Sequence, residues 1–352
     1  MYSMLHLFVP GRVCLFGEHS DWAGGYRNSN SSIKKGYTII AGTNQGIYAN
    51  VSRHPTRLQI TSSHATESIF MNPEVLKTYA NSGKFFSYIA GVAFCIRNKY
   101  QVGGLIIDNY KTDLPIKKGL SSSAAICVLT ARAFNQIYNL GLSIDQEMEF
   151  AYLGELFTGS KCGRMDQGCA YGNRLVFMTF DGNSVNVNPI KPKKSLHYVI
   201  VDLGATKNTK NILQKLNLCF PISLNPIQAG VQNLLGPINK SITSKAKTYI
   251  EIGDSVSLGK LMTYAQQKFD LHATPACPEE LTSPVLHLVL SDPFLLKNTL
   301  GAKGVGSQGD GSAQFLVKNK ACQKLLISYL DKSLHMKSFP LTINAFVNKS
   351  QE

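Results

Sequence analysis

The eight residues KGLSSSAA at 118–125 constrain this chain more than any other stretch. They follow an apolar run at 104–108 and lead into a helix-period segment over 124–138, so a glycine and three serines stand where a strand gives way to a helix. Such a junction suits an anion. The first turn of a helix has unpaired N–H groups and about half a positive charge at its end, and glycine lets a phosphate approach the backbone closely. Ser121, Ser122 and Ser123 add hydroxyl donors, or a neutral oxygen ligand for magnesium. Taken alone, the same pattern also describes a serine cap on an ordinary helix. Two further stretches bear on the choice.

The first lies near the start, in the run PGRVCLFGEHSDWAGG at 10–25. The first ten residues read as a strand, and a short apolar strand over 13–16 is closed by Gly17. Glu18, His19 and Asp21 then offer acceptors and a donor within four residues. Carboxylates that take hydroxyl protons in pairs are how a polyhydroxylated ligand is gripped, and a site built this way leaves buried groups unpaired when a hydroxyl is missing. A polar turn has the same composition, but the chain's single tryptophan, Trp22, beside two glycines speaks for more than a turn.

The second is the sequence GAKGVGSQGDG at 301–311, which holds five glycines before an apolar strand at 313–317. Glycine at that density costs folding entropy and needs a reason, such as turns with positive φ or close approach to a ligand. Between these stretches the pattern predicts a β-meander over 37–63, helix over 73–100, and a helix over 143–158 capped by Ser143 and carrying Glu155. Asp166 follows a glycine-bearing turn, so the two carboxylates can face one site from different backbone directions; two exposed acids at a helix end are the plain alternative. A hairpin is expected around Asp181-Gly182, and helices dominate 208–290.

The 352 residues suit two domains, and the lysine- and proline-rich connector at 189–194 sets the expected boundary, giving 1–190 and 191–352. With 44% apolar and 16% charged residues, and no uninterrupted apolar run near about eighteen residues, the composition is globular and excludes a membrane-spanning helix. The N-terminus has neither a basic leader nor a small-residue cleavage site, so a cytoplasmic protein is expected. Eight scattered cysteines without a C-x-x-C pair suggest buried thiols in a reduced compartment. The net charge of +14 comes from dispersed pairs and triplets of basic residues, which argues for a solvated basic surface attractive to anionic substrates and against nucleic-acid binding.

Three glycine-bearing motifs in this order, at 10–25, 115–125 and 301–311, resemble the GHMP kinase superfamily, whose members include galactokinase, homoserine kinase, mevalonate kinase and phosphomevalonate kinase. The resemblance runs from Pro10 to Val317. It implies an α+β, two-domain fold with a ribosomal-protein-like N-terminal domain and a ferredoxin-like α/β C-terminal domain. It also implies an ATP-dependent small-molecule kinase, with the nucleotide phosphates on Lys118, Gly119, Leu120, Ser121, Ser122, Ser123 and Ala124. Ser123 and Glu155 would hold Mg2+, and Asp166 would orient or deprotonate the acceptor hydroxyl with Arg12 nearby. Glu18, His19 and Asp21, with Met165-Asp166-Gln167, are similar to the sugar-kinase branch, so the expected partners are ATP and a sugar or cyclic polyol. The expected assembly is a monomer or homodimer, bound neither to nucleic acid nor to membrane.

The third motif, with Gly304, Gly306, Ser307, Gly309 and Gly311, departs from the family's nearly continuous glycines at Ser307, Gln308 and Asp310, and no galactokinase signature is evident in the second half. A mevalonate-type kinase and a catalytically silent sugar and ATP sensor are the alternatives. A carboxylate-bearing acceptor fits poorly beside two acids, and an intact Glu155 and Asp166 argue against silence.

Overall fold

The structure is a computed structural model that describes residues 4–114, 121–160 and 162–347. Strand β1 (Leu5–Phe16) is continuous through Pro10, where the sequence suggested a break, and its residues are buried over 9–16. It pairs with β2 (Gly36–His54), leaving its other edge for a residue that has no N–H to give. Between them lies a short helix, α1 (Ser20–Gly25).

The meander expected over 37–63 does not form. Strand β3 (Arg57–Thr61) pairs antiparallel with β4 (Thr66–Phe70) and parallel with β5 (Gly104–Thr112), and β5 separates it from β2. Leu105 and Ile107 of β5 are fully buried whereas β4 is mostly exposed, so the more apolar strand takes the interior position. The helical stretch at 73–100 is two helices, α2 (Pro73–Ala80) and α3 (Ser87–Lys99). Asn72 caps the first through the amides of Glu74 and Val75, with Pro73 in its first turn.

Next come α4 (Ser122–Tyr138) and α5 (Ile144–Leu156). Ser143 and Gln146 form a reciprocal capping box at the start of α5, which fixes that boundary as the sequence indicated. The hairpin of β6 (Leu175–Asp181) and β7 (Ser184–Pro189) turns through Gly182 at φ 60°.

In the remainder, β8 (Leu196–Asp202) precedes a helical run: α6 (Thr209–Asn217), α7 (Pro226–Asn233), α8 (Asn239–Ile252), α9 (Ser255–Ala273), α10 (Pro278–Leu281), α11 (Pro284–Leu290) and α12 (Pro293–Asn298). Proline in the first turn starts α7, α10, α11 and α12, where its missing N–H costs nothing. Strands β9 (Gly301–Gly304) and β10 (Ser312–Val317), helix α13 (Lys320–Lys332) and β11 (Ser338–Ile343) complete the described chain.

The chain forms two compact units, Met1–Arg12 with Gly42–Asn173, and Val13–Ala41 with Arg174–Glu352. The 190/191 boundary expected from the connector falls inside the second of these. In the first unit the strand order is β4-β3-β5-β2, and α3, α4 and α5 pack on one another. The second unit holds the β2-β6-β7 segment and a sheet of order β11-β8-β10-β9. One of its cores joins β8 and β10 to α11, α12 and α13 through Val199, Val201, Phe315, Leu326 and Leu330. Another gathers Leu216, Phe220, Val231 and Phe269 from the helical run, and Ala23 and Ile33 join it, with Trp22 and Tyr26 packed alongside. Each large apolar side chain fully buried in this way contributes about 1.5–3 kcal/mol. Among the described residues no helix is long and apolar enough to cross a membrane.

Candidate active site

In the first unit the candidate residues converge on Asp166, which heads a 3₁₀ turn (Asp166–Tyr171). Arg12 donates to Oδ1 from Nε at 3.2 Å and makes a second, shorter bond to the same oxygen from Nη2. Ser121 donates its hydroxyl to Oδ2 at 2.6 Å. Both carboxylate oxygens are therefore oriented, yet the Asp166 side chain keeps 24% of its surface accessible against 5% for Arg12. An anchored but reachable carboxylate is what a residue that handles a substrate proton requires.

Ser121 precedes α4 in a left-handed conformation, φ 55° and ψ 55°, a region that costs a non-glycine residue about 1–3 kcal/mol. Its side chain is bound to Asp166 and does not cap the helix, and the first turn of α4 carries no acidic residue. The start of α4 thus keeps the positive character that an anion needs. Ser122, Ser123 and Ala124 lie in that turn. Lys118, Gly119 and Leu120 lie outside the described residues.

Glu155, near the end of α5, is 2% exposed, which rules out the plain alternative of a solvated acid. It accepts hydrogen bonds from the Gln167 amide at 2.8 Å and from the Ser123 hydroxyl. Burial above all, then the neighbouring charge of Asp166, pushes its carboxyl up to about 7 against the pull of those bonds and of Arg12. Gln167 Oε1 is buried without a hydrogen-bond partner. Buried oxygen donors short of positive charge fit a hard divalent cation, and Mg2+ characteristically takes one or two protein oxygens and leaves the rest to phosphates and water. No group of three or more His, Cys, Asp or Glu residues among the described residues is arranged to hold a metal. From the sequence Gln167 entered only as part of the Met165-Asp166-Gln167 motif, with no role beside Glu155.

In the second unit, Glu18, His19 and Asp21 are all buried around the start of α1. Glu18 bonds to Lys303, a residue the sequence reading passed over. Its signal was a lone lysine in a glycine-dense strand. His19 has both ring nitrogens engaged. Trp22 Nε1 can only donate, and it lies 3.2 Å from Nδ1, so Nδ1 accepts; Nε2 then carries the proton and donates to the Ser307 carbonyl at 3.3 Å. The ring also stacks on Phe269, with centroids 6.0 Å apart.

Burial, aided by the charges of Lys207 and Lys303 and opposed by the Ser307 bond, lowers the His19 pKa from 6.5 to about 4. The unfolded chain thus takes up a proton near 6.5 that the folded chain refuses until about 4, so stability present above 6.5 is lost as pH falls through that window. A His19→Gln variant is expected to show a flatter decline of denaturant midpoint between these pH values, and a slope equal to the parent's would contradict the buried neutral ring.

The Gly-rich third motif is partly strand. Gly301 opens β9, and a Cβ there would stand 1.8 Å from the Gly259 carbonyl of α9, so this glycine permits helix–strand contact and not ligand approach. Gly304 closes the same strand, while Gly306 and Gly309 supply turns at φ 67° and 71°. The departures from an all-glycine run have partners within the unit. Asp310 accepts the Leu286 amide at 2.8 Å and so caps α11, Ser307 Oγ lies 3.2 Å from Thr209 Oγ1, and Gln308 Nε2 reaches the Gly304 carbonyl at 3.3 Å. Lys207 donates to the Gln308 carbonyl at 2.8 Å, beside Gly311.

A helix start suited to phosphate, an oriented carboxylate with a guanidinium on it, and buried oxygen donors able to take Mg2+ are the parts of a phosphotransferase acting on a small alcohol. Comparison with known proteins agrees. Residues 87–173 match the pattern of the GHMP kinases N terminal domain. The galactokinase of Pyrococcus furiosus is 32% identical over 347 aligned positions, covering 91% of each chain. That of Thermococcus kodakarensis is 25% identical over 370 positions, covering 99% of each. Among solved structures, Lactococcus lactis galactokinase complexed with galactose superposes with a TM-score of 0.74 at 16% identity, over 97% of this chain and 94% of that one. Methanococcus jannaschii mevalonate kinase gives 0.69 at 19%, over 98% and 99%, a likeness of fold. The chain belongs to the GHMP kinase family, in its galactokinase-like branch, and is an ATP-using small-molecule kinase.

Proposed function

We propose that the chain phosphorylates a hydroxyl of a monosaccharide, a galactose-like neutral sugar being the first candidate, at the expense of ATP. The observation that carries this reading is Asp166, oriented by Arg12 on one oxygen and by the Ser121 hydroxyl on the other. The Ser121 contact supports the reading because it shows that Oδ2 can accept from a hydroxyl. In this reading Asp166 takes or orients the acceptor proton, and Arg12 fixes the carboxylate and adds positive charge where the phosphoryl group is transferred. Ser121, Ser122, Ser123 and Ala124 receive the nucleotide phosphates on the amides of the α4 start and on the Ser122 hydroxyl, with Lys118, Gly119 and Leu120 preceding them. Ser123 and Glu155 would hold Mg2+, which when bound neutralises charge on phosphate oxygens.

Asp21 accepts sugar hydroxyl protons, and its buried carboxylate disfavours an acceptor that carries a carboxylate of its own, such as mevalonate. Gly304, Gly306, Ser307, Gly309 and Gly311 shape the Gly-rich segment. The names of the curated relatives support the sugar; a monomer or homodimer in the cytoplasm is the accompanying expectation.

The test is ADP release with Mg-ATP against a panel of monosaccharides, sugar acids, cyclitols and mevalonate. Turnover with a neutral sugar is expected, and turnover with mevalonate alone would overturn the acceptor assignment. An Asp21→Ala variant should raise the acceptor KM by about tenfold or more while leaving the ATP KM within about twofold, since only the acceptor loses a charged hydrogen-bond partner. Equal losses for both substrates would instead mean that the turn as a whole had shifted.

A further inference from the structure

Two buried contacts join the turn at 18–19 to the segment at 303–307. Lys303 Nζ bonds to Glu18, the two side chains being 2% and 6% exposed, and it also donates to the Gly304 carbonyl at 2.9 Å. Beside it, His19 Nε2 reaches the Ser307 carbonyl. Lys303 is itself immobilised, because β9 pairs with β10 and the Gly304 amide donates to Gln266 Oε1 at 2.7 Å. The far side of the bracket has little rigidity of its own. Helix α1 is six residues long, too short to persist alone, and His19 at its start is held at φ 67°, where a residue with a side chain stays only under outside constraint. Asp21 lies in the first turn of that helix.

We propose that Lys303 is a positioning residue for acceptor recognition: through Glu18, and in parallel with the His19–Ser307 bond, it ties the acceptor turn to the Gly-rich segment, so that Asp21 meets the acceptor while Glu18 holds the turn. This rests on reading the turn as the acceptor site. A buried ammonium and carboxylate are justified only by each other, and apolar residues of similar size in both places are tolerated far better than the loss of one partner. A residue that grips sugar directly cannot be rescued in that way.

The experiment compares Lys303→Met, Glu18→Leu and the double variant by two readouts: amide hydrogen exchange over 17–25, and the acceptor KM. Each single variant is expected to speed exchange over 17–25 by about tenfold or more and to raise the acceptor KM, while the double variant recovers most of both losses. Unchanged exchange in the single variants would overturn the brace. Exchange restored in the double variant with the acceptor KM still as high as in Glu18→Leu would overturn it too, by making Glu18 a direct contact. Should the single variants fail to fold, the double variant alone decides by the same two readouts against the parent. The exchange readout needs no turnover, so a parent enzyme inactive on every sugar would refute the sugar-kinase reading without deciding this one.

Discussion

Replacing Asp166 with Asn is expected to lower turnover by about 10²- to 10⁴-fold while ATP still binds. The substitution keeps the size of the side chain and one oxygen, so the Arg12 and Ser121 contacts can persist on that oxygen in part. It removes the capacity to take a proton and the charge that orients the acceptor hydroxyl. If the loss appears in kcat and kcat/KM alike, the missing interaction belongs to the transition state. Nucleotide affinity, measured by calorimetry with a non-hydrolysable analogue, should stay within about threefold of the parent, since the α4 start is untouched. Near-normal turnover would remove Asp166 from the chemistry altogether.

Arg132→Ala should cost about 3–5 kcal/mol of unfolding free energy, because it strands a buried carboxylate. Arg132 donates from Nε to Glu147 Oε2 at 2.9 Å and from Nη2 to the Ala170 carbonyl at 2.7 Å, and Asn135 donates to the other Glu147 oxygen at 2.8 Å. Glu147 is 4% exposed, so its carboxylate is poorly hydrated and depends on the guanidinium for compensation. Ala170 belongs to the 3₁₀ turn that Asp166 heads, so the network spans α4, α5 and that turn. Denaturant titration measures the loss. A change below about 1 kcal/mol would class the pair with exposed ion pairs.

Much of the candidate site was legible because its chemistry is local in sequence. The Ser-rich helix start, the carboxylates Glu155 and Asp166, and the polar turn at 18–21 each announce themselves by composition within a few residues, and Ser143 marked a helix start by its cap chemistry. What escaped depends on partners far away. Lys303 meets Glu18 across 285 positions, and nothing near either residue names the other. Gly301 looked like part of a ligand loop because glycine density carries no sign of whether a ligand or a neighbouring helix, here at Gly259, comes close. The order of β2, β5 and β3 was misread for a similar reason: alternation marks a strand, but its neighbours are decided by which strand buries most.

The division of the chain has a consequence for its synthesis. Every residue of the first unit has been translated once Asn173 is made, whereas residues 13–41, including the polar turn at 18–21, belong to a unit that resumes only at Arg174. During elongation the early segment must wait, without its ion pair to Lys303, until almost the whole polypeptide has emerged. A fragment ending at residue 190 would keep the α4 start and the carboxylate that Arg12 and Ser121 orient, but the turn at 18–19 would lack both of its ties to the segment at 303–307, so that bracket is acquired only at the end of translation.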